Sequence, residues 1–255
     1  MAKRSPLAEK LDEVRDKIGQ ACARAKREVK EVTLVAVTKT AAPEQIREAM
    51  SLGVSDLGES RVQHLVQRAG QLNEFHQRRV THGDGTVPDK LRWHMIGHLQ
   101  RNKIKQVLPI VSLIHSIDSL RLAEELDLQA QKLGKRMPVL MQINASEESS
   151  KSGVAVGAAV HLAEQIDSMP NLQLMGLMTM AAADADEKTI RHTFTRTREI
   201  FEEMQWHKIG SGSLKHLSMG MSNDYEIAIE EGATLVRIGT AIFGGKVEDH
   251  EEMEE

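Results

Sequence analysis

The chain has 255 residues, a length that fits one large α/β domain or two small domains. Hydrophobic residues make up 40% and charged residues 27%, so the sequence can build a buried core and is not of the disordered class. A formal net charge of −4 argues against nucleic acid or an anionic membrane as a partner, and no apolar run approaches the ~18 residues of a membrane span. The single cysteine, Cys22, and the absence of a visible secretory signal predict a cytoplasmic protein.

The first predicted element is a helix that Ser5 caps and Pro6 opens, with apolar residues at three- and four-residue steps as far as Val29. The period of the pattern then changes. Residues 33–38 form a short, nearly continuous apolar run, which is typical of a buried parallel strand, and this run ends at Lys39.

The same alternation of strand and helix continues along the chain. Further strands are predicted at 54–57, 93–96, 111–115, 139–143, 172–178, 217–219 and 235–238. Helices are predicted from Pro43 onward and at 61–72, 99–107, 120–133, 156–168, 187–204 and 223–231. About eight β-then-α units predict a single (β/α)8 TIM-type barrel with an extra amino-terminal helix. A doubly wound open sheet is the alternative, because the order of elements does not separate two alternating folds.

Two segments lie outside this alternation. Residues 76–89 have turn dipeptides and little periodicity, so they are predicted to form a long surface loop; a linker between domains is the alternative. The end of the chain is an acidic run with little to bury. We therefore predict one domain over residues 1–246 and a frayed tail over residues 247–255.

Functional groups of a parallel barrel lie at the carboxyl ends of its strands, and Lys39 is at such a position. The apolar strand before it would hold this lysine rigidly in a partly desolvated site. A lysine in that setting becomes available as a Schiff-base nucleophile. Position alone favours the alternative, in which Lys39 only marks the point where a strand leaves the core.

A second group of residues follows the last predicted strand. Gly239 permits close approach of the backbone, and Thr240 adds a hydroxyl beside N–H groups at a predicted helix start, which suits a phosphate. The segment from Ser218 to Ser222 is predicted to supply the other half of this phosphate site. A tight turn with a satisfied Arg237 is the alternative.

Two further patterns are not predicted to carry chemistry. His94 and His98 are four residues apart, but their segment is predicted to be strand and turn, so no metal site is predicted. Cys22 lies on the apolar face of the first predicted helix, which indicates a buried and inert thiol.

The chain also carries an ordered set of motifs: AVTKT (36–40), LGESRVQ (57–63), WHMIGHLQRNK (93–103), HSIDS (115–119), SKSG (150–153), GLMTM (176–180), LSMGMSNDYEIAI (217–229) and VRIGTAIFG (236–244). Together they resemble the pyridoxal phosphate homeostasis protein family, from about residue 5 to residue 245. The resemblance implies a barrel similar to the barrel domain of alanine racemase, with pyridoxal 5'-phosphate (PLP) as its cofactor.

The resemblance also implies a role for each candidate residue. PLP would be held as a Schiff base on Lys39. Its phosphate would contact Ser218 and the backbone around Gly239 and Thr240, and Arg237 would face the pyridine nitrogen. These roles agree with the chemistry of the residues, because an aldehyde needs an amine and a dianionic phosphate needs N–H and hydroxyl donors.

The sequence departs from its relatives at several positions. Ser60 stands where the family usually has Asn, and its shorter side chain leaves a cofactor contact there unassigned. Racemase relatives carry a His where this chain has Met180 and a Tyr where it has residues 41–42, and its one tyrosine is Tyr225. An arginine such as Arg237 at the pyridine nitrogen would also keep that nitrogen unprotonated, which weakens PLP as an electron sink.

The resulting prediction is a PLP-binding protein of intracellular PLP homeostasis, which buffers or delivers the cofactor without turnover of its own. Apo PLP-dependent enzymes are the partners expected. A weakly active PLP-dependent racemase or lyase is the alternative, and a purely structural interaction domain is the third hypothesis. The chain ends directly after the predicted barrel, without the dimerising second domain of the racemases, so a monomer is predicted.

Overall fold

The computed structural model describes residues 4–83, 85–146 and 152–245. Its strands are β1 (Thr33–Val37), β2 (Asp56–Glu59), β3 (Arg92–Met95), β4 (Leu113–Ile117), β5 (Met137–Asn144), β6 (Val154–Ala155), β7 (Leu172–Met178), β8 (His216–Ser218) and β9 (Leu235–Ile238). All are parallel in the order β4-β3-β2-β1-β9-β8-β7-β5, and pairing of β4 with β5 closes the barrel. The two-residue strand β6 pairs with the end of β5.

Helices follow the strands around the outside of the barrel. They are α1 (Pro6–Arg24), α2 (Pro43–Ser51), α3 (Val62–Thr81), α4 (Ile104–Val107), α5 (Leu120–Lys132), α6 (Ala159–Asp167), α7 (Glu187–Trp206), α8 (Tyr225–Glu230) and α9 (Thr240–Phe243). The extra helix α1 packs against α8 and α9. The predicted (β/α)8 barrel with an amino-terminal helix is therefore confirmed, and the open sheet is wrong. Within the described ranges, no helix combines the length and the apolar character needed to cross a membrane.

Two predicted boundaries are corrected by the structure. The helix α3 continues to Thr81, so the first part of the segment 76–89 is helical and not loop. This end of α3 shows no apolar period because it is largely exposed, and ion pairs such as Arg78–Glu74 stabilise it in place of core contacts. The first helix is capped by Ser5 as predicted, but it ends at Arg24, and Val29 is exposed.

Some predictions fall on residues outside the described ranges. They include the acidic tail 247–255, position 246 at the predicted end of the domain, Asp84 in the predicted loop, and the first two residues of the SKSG motif. The domain limits and the tail therefore stay predictions.

The interior of the barrel is only partly apolar. A small inner cluster of buried side chains comprises Val35, Leu113, Leu140, Met178 and Leu235, whereas most of the core lies between the strands and the helices. Other buried positions on the strands are polar or charged, and they include Asp56, His94, His115, Ser218 and Arg237. Because β4 and β8 are not neighbours in the sheet, a contact between their side chains crosses the barrel interior. Two of these polar residues, Ser218 and Arg237, are also candidate site residues.

Candidate functional site

Lys39 lies in the turn that follows β1, at the carboxyl-terminal mouth of the barrel. Its side chain is exposed, so the predicted partly desolvated setting is wrong for this chain. The strand ends at Val37, and Thr38 takes the last fully buried position, which leaves the next residue in solvent. The salt bridges among the described residues include none to the Lys39 ammonium group.

Arg68 on α3 holds the segment that carries Lys39. Its guanidinium donates hydrogen bonds to the carbonyl oxygens of Thr38, of Lys39 at 3.4 Å and of Ala41 at 3.2 Å. It also forms an ion pair with Glu59, a fully buried residue at the end of β2 that accepts a hydrogen bond of 2.5 Å from Thr38 Oγ1. One arginine–carboxylate pair therefore fixes the backbone on both sides of Lys39 and leaves its amine at the open mouth.

Two glycine turns follow the neighbouring strands β8 and β9. Gly220 has φ +92°, and a Cβ atom there would lie 2.6 Å from the Cβ of Ala228 and 2.8 Å from the Cα of Tyr225. A Cβ atom at Gly239 would lie 3.1 Å from the carbonyl oxygen of Val37. Both positions therefore bring backbone close to backbone in a way that a larger residue would disturb.

Ser222 and Thr240 meet where these two turns come together. The Ser222 hydroxyl accepts a hydrogen bond of 3.3 Å from the backbone N–H of Ala241, in the first turn of α9. Thr240 is the first residue of that helix and its side chain is exposed, whereas Ser222 is half-buried. The N–H of Ala241 is used by Ser222, and the next two N–H groups of α9 donate to the carbonyl oxygen of Gly239, so the donors that this junction offers include its two hydroxyls.

Ser218, the residue that the resemblance places on the phosphate, lies deeper in the barrel. Its hydroxyl oxygen accepts a hydrogen bond of 2.7 Å from Nη1 of Arg237 and lies 2.8 Å from Nδ1 of His115. Ser218 is fully buried, and Arg237 also donates to the carbonyl oxygen of Thr179 at 2.9 Å. The structure thus places Ser218 beside Arg237 and outside the turn that Ser222 shares with α9.

Between Arg237 and the amino-terminal mouth, the barrel holds further polar side chains to which the sequence motifs assign no role. Nε2 of His94 donates to Oδ1 of Asp56 at 3.0 Å, and Nδ1 of His94 lies 2.9 Å from Nε2 of His115. Arg92, at the opposite mouth, donates to both carboxylate oxygens of Asp56, at 2.6 and 2.5 Å. The alternation of residues along β2 and β3 could have placed Asp56 and His94 on the inner face.

The buried groups of this interior differ in charge. Burial alone would raise the pKa of Asp56, but hydrogen bonds, led by the one from His94, outweigh it and hold the pKa of Asp56 well below its usual range. Burial lowers the pKa of Arg237 to about 10, which keeps the guanidinium charged at neutral pH. Burial also holds the pKa of His115 well below its usual range. The interior therefore has an anion at one mouth, a cation toward the other and a neutral histidine between them.

Other candidate groups are placed away from this site. In the parts of the chain that the structure describes, no group of three His, Cys, Asp or Glu side chains could hold a metal ion. Cys22 is buried in α1, where burial raises the pKa of its thiol and makes it a poor nucleophile. Tyr225 lies on α8 in the outer layer of the core, and burial raises the pKa of its phenol.

Sequence comparison identifies close relatives over nearly the whole chain. The family model described as "Alanine racemase, N-terminal domain" matches residues 6–247. The pyridoxal phosphate homeostasis protein of Aquifex aeolicus (strain VF5) is 38% identical over 236 residues, which is 92% of this chain and 96% of the relative. The protein of the same name from Escherichia coli (strain K12) is 38% identical over 240 residues, 94% of this chain and 97% of the relative.

Solved structures show the same similarity. PipY of Synechococcus elongatus PCC7942, solved with PLP bound, is 31% identical with a TM-score of 0.77, covering 93% of this chain and 100% of that one. Alanine racemase of Clostridium difficile 630 has a TM-score of 0.64 at 14% identity, covering 92% of this chain and 58% of that one, and shows the shared fold alone. The chain therefore belongs to the pyridoxal phosphate homeostasis protein family, whose barrel is that of the alanine racemase N-terminal domain.

Proposed function

We propose that this chain binds PLP through Lys39 and holds the cofactor for release to other proteins. The observation that carries the proposal is an exposed amine at the barrel mouth where β1 ends, in a chain 31% identical to a protein solved with PLP bound. The name shared by the relatives, pyridoxal phosphate homeostasis protein, supports the same role.

The donors of the site fit the cofactor. Bound PLP supplies an aldehyde, which combines reversibly with an amine, and Lys39 provides that amine. The hydroxyls of Ser222 and Thr240 and the backbone around Gly239 and Thr240 would hold the dianionic phosphate. The guanidinium of Arg237 is a donor only, so it would face the pyridine nitrogen as that atom's hydrogen-bond donor.

The phosphate contact is tested by replacing Ser222 with alanine. We expect the preference for PLP over pyridoxal, which lacks the phosphate, to fall about tenfold in Ser222→Ala, because one hydrogen bond to a charged group is lost. Dissociation constants from absorbance titration give this preference. Ser218→Ala is the matched control, and it is expected to weaken both ligands alike. If Ser218→Ala lowers the preference for PLP while Ser222→Ala weakens both ligands alike, the phosphate contact belongs to Ser218, as the resemblance implies.

The residues available for catalysis support a role without turnover. A racemase needs a second acid or base across the cofactor, but Tyr225 is in the outer core layer. Met180 packs half-buried against the inner apolar cluster, and Ala41 is buried beside Lys39. We expect incubation with single amino acids to show no exchange of the α-proton above that of free PLP. Exchange at a catalytic rate that Lys39→Ala abolishes would support a racemase or lyase instead.

Delivery is tested by transfer to an apo-enzyme that needs PLP. The loaded chain is expected to restore activity even when an excess of a PLP scavenger removes free cofactor from solution. Lys39→Ala, treated in the same way, is expected to restore none, while Lys105→Ala on the exposed surface of α4 behaves as the wild type. If the scavenger abolishes the transfer, the result contradicts direct delivery, and the remaining role is to buffer free PLP. We propose that this exchange takes place in the cytoplasm, with the chain as a monomer.

A further inference from the structure

Five side chains cross the barrel interior in a single row of hydrogen bonds. In order they are Asp56 on β2, His94 on β3, His115 on β4, Ser218 on β8 and Arg237 on β9, joined by bonds of 3.0, 2.9, 2.8 and 2.7 Å. Each of the five is at most 4% exposed. The row begins at the amino-terminal mouth and ends on the arginine that the proposed function places beside the cofactor.

The charged groups at the two ends of the row determine which atom donates in each of its hydrogen bonds. An ionised carboxylate only accepts hydrogen bonds, so Nε2 of His94 donates to Asp56. Nδ1 of His94 and Nε2 of His115 lie 2.9 Å apart, so one of these two nitrogens donates and the other accepts. Burial keeps the imidazole of His115 neutral, so His115 donates through one of its nitrogens only.

The opposite end decides which nitrogen of His115 carries the proton. A guanidinium only donates, so the oxygen of Ser218 accepts from Nη1 of Arg237. The hydroxyl proton of Ser218 is then free to donate to Nδ1 of His115, which leaves the proton of His115 on Nε2 to donate to Nδ1 of His94. Each of the four hydrogen bonds in the row then has one donor and one acceptor. If the row ran the other way, His115 and Arg237 would both donate to Ser218, and its hydroxyl proton would lose this acceptor.

We propose that Asp56, His94 and His115 are positioning residues that hold Arg237 at the cofactor through the hydroxyl of Ser218. The carboxylate of Asp56 favours one proton order along the row. The ordered row in turn holds the hydroxyl of Ser218, to which the guanidinium of Arg237 is bonded. The proposal rests on the proposed function only where it concerns the cofactor. The proton order itself is a property of the chain without PLP.

The proton order is tested in the cofactor-free protein by ¹⁵N NMR of the histidine rings. In the wild type, His115 is expected to carry its proton on Nε2, where it donates to Nδ1 of His94. In Asp56→Asn the amide can donate to His94, which reverses the row and moves the proton of His115 to Nδ1. Glu164→Gln is the matched control, because it removes a carboxylate beside His161 on the exposed surface of α6 and leaves the row intact.

The effect on Arg237 is tested with a double-mutant cycle on PLP affinity. Asp56→Asn is expected to raise the dissociation constant for PLP about tenfold in the wild-type background. In a Ser218→Ala background the same change is expected to have less than about a twofold effect, because the link to Arg237 is already broken. A merely structural role for Asp56 would weaken binding equally in both backgrounds. His94→Gln, which breaks the row at its second residue, is a second variant for the same cycle.

Two results would overturn the proposal: His115 keeping its tautomer in Asp56→Asn, or Asp56→Asn raising the dissociation constant equally in the two backgrounds. If the wild-type chain takes up no PLP at all, the proposed function fails. The NMR measurement requires no cofactor, so it then decides the proton order independently.

Discussion

Replacing Arg68 with alanine is expected to lower the free energy of unfolding by about 3–5 kcal/mol, the usual cost of leaving a buried charge without its partner. Glu59 is fully buried, and its ion pair with Arg68 supplies its compensating charge in the structure. The carbonyl oxygens of Thr38 and Ala41 lose a donor at the same time. Urea denaturation followed by circular dichroism measures this change.

The same helix offers a matched control. Arg78 pairs with Glu74 on the exposed side of α3, and exposed pairs of this kind contribute ~0.3–0.5 kcal/mol. Arg78→Ala should therefore change the free energy of unfolding by less than about 1 kcal/mol. The double variant Arg68→Met, Glu59→Leu should lose less than Arg68→Ala, since no charge stays buried. An Arg68→Ala cost as small as that of Arg78→Ala would show that the buried pair does not hold the loop around Lys39.

The second large effect is a loss of stability in acid that originates in His115. Burial lowers the pKa of His115 in the folded chain well below 6.5. In the unfolded chain the imidazole takes up its proton as the pH falls through about 6.5, so the unfolded state binds more protons there. The free energy of unfolding should therefore fall by about 1.4 kcal/mol for each pH unit below that value until the folded pKa is reached.

The contribution of His115 is separated from that of other groups by substitution. His216 is half-buried, and burial lowers its pKa too, so it adds to the slope; Asp56 adds only below its ordinary pKa of ~3.9. His115→Gln should reduce the slope between pH 6.5 and 4.5 by up to about 1.4 kcal/mol per pH unit. His161→Gln, at an exposed position on α6, should leave the slope unchanged. A slope that His115→Gln does not alter would contradict a neutral buried imidazole.

The barrel could be predicted because its signals are local. Strands such as β1 and β7 are short, mostly apolar runs, and the longer helices show an apolar face, so the alternation of strand and helix can be recognised along the chain. The far end of α3 was missed because it is exposed and carries no apolar period. Lys39, Gly239 and Thr240 were found by their place at strand ends, and the structure puts them at the same mouth.

The rest of the site could not be predicted because its contacts are distant in sequence. His115 and Ser218 are 103 residues apart, and His94 and Asp56 are 38 residues apart. In the sequence pattern, Arg68 does not differ from the other polar residues on the exposed face of a helix. In the folded chain it donates hydrogen bonds to the backbone around Lys39. Ser222 and Ser218 belong to the same short segment, and the hydrogen bonds of the folded chain decide which of them faces α9.

The central claim is that Lys39 carries the cofactor, and reduction with borohydride followed by peptide mass mapping tests it directly. After loading with PLP, reduction and digestion with trypsin, one pyridoxyl group is expected on the peptide of residues 31–47, because a modified Lys39 is no longer cleaved. Lys39→Ala should carry no specific adduct, and Lys105→Ala should be labelled as the wild type. A loaded and reduced protein with its pyridoxyl group on other lysines, and an unmodified peptide 31–39, would contradict the account.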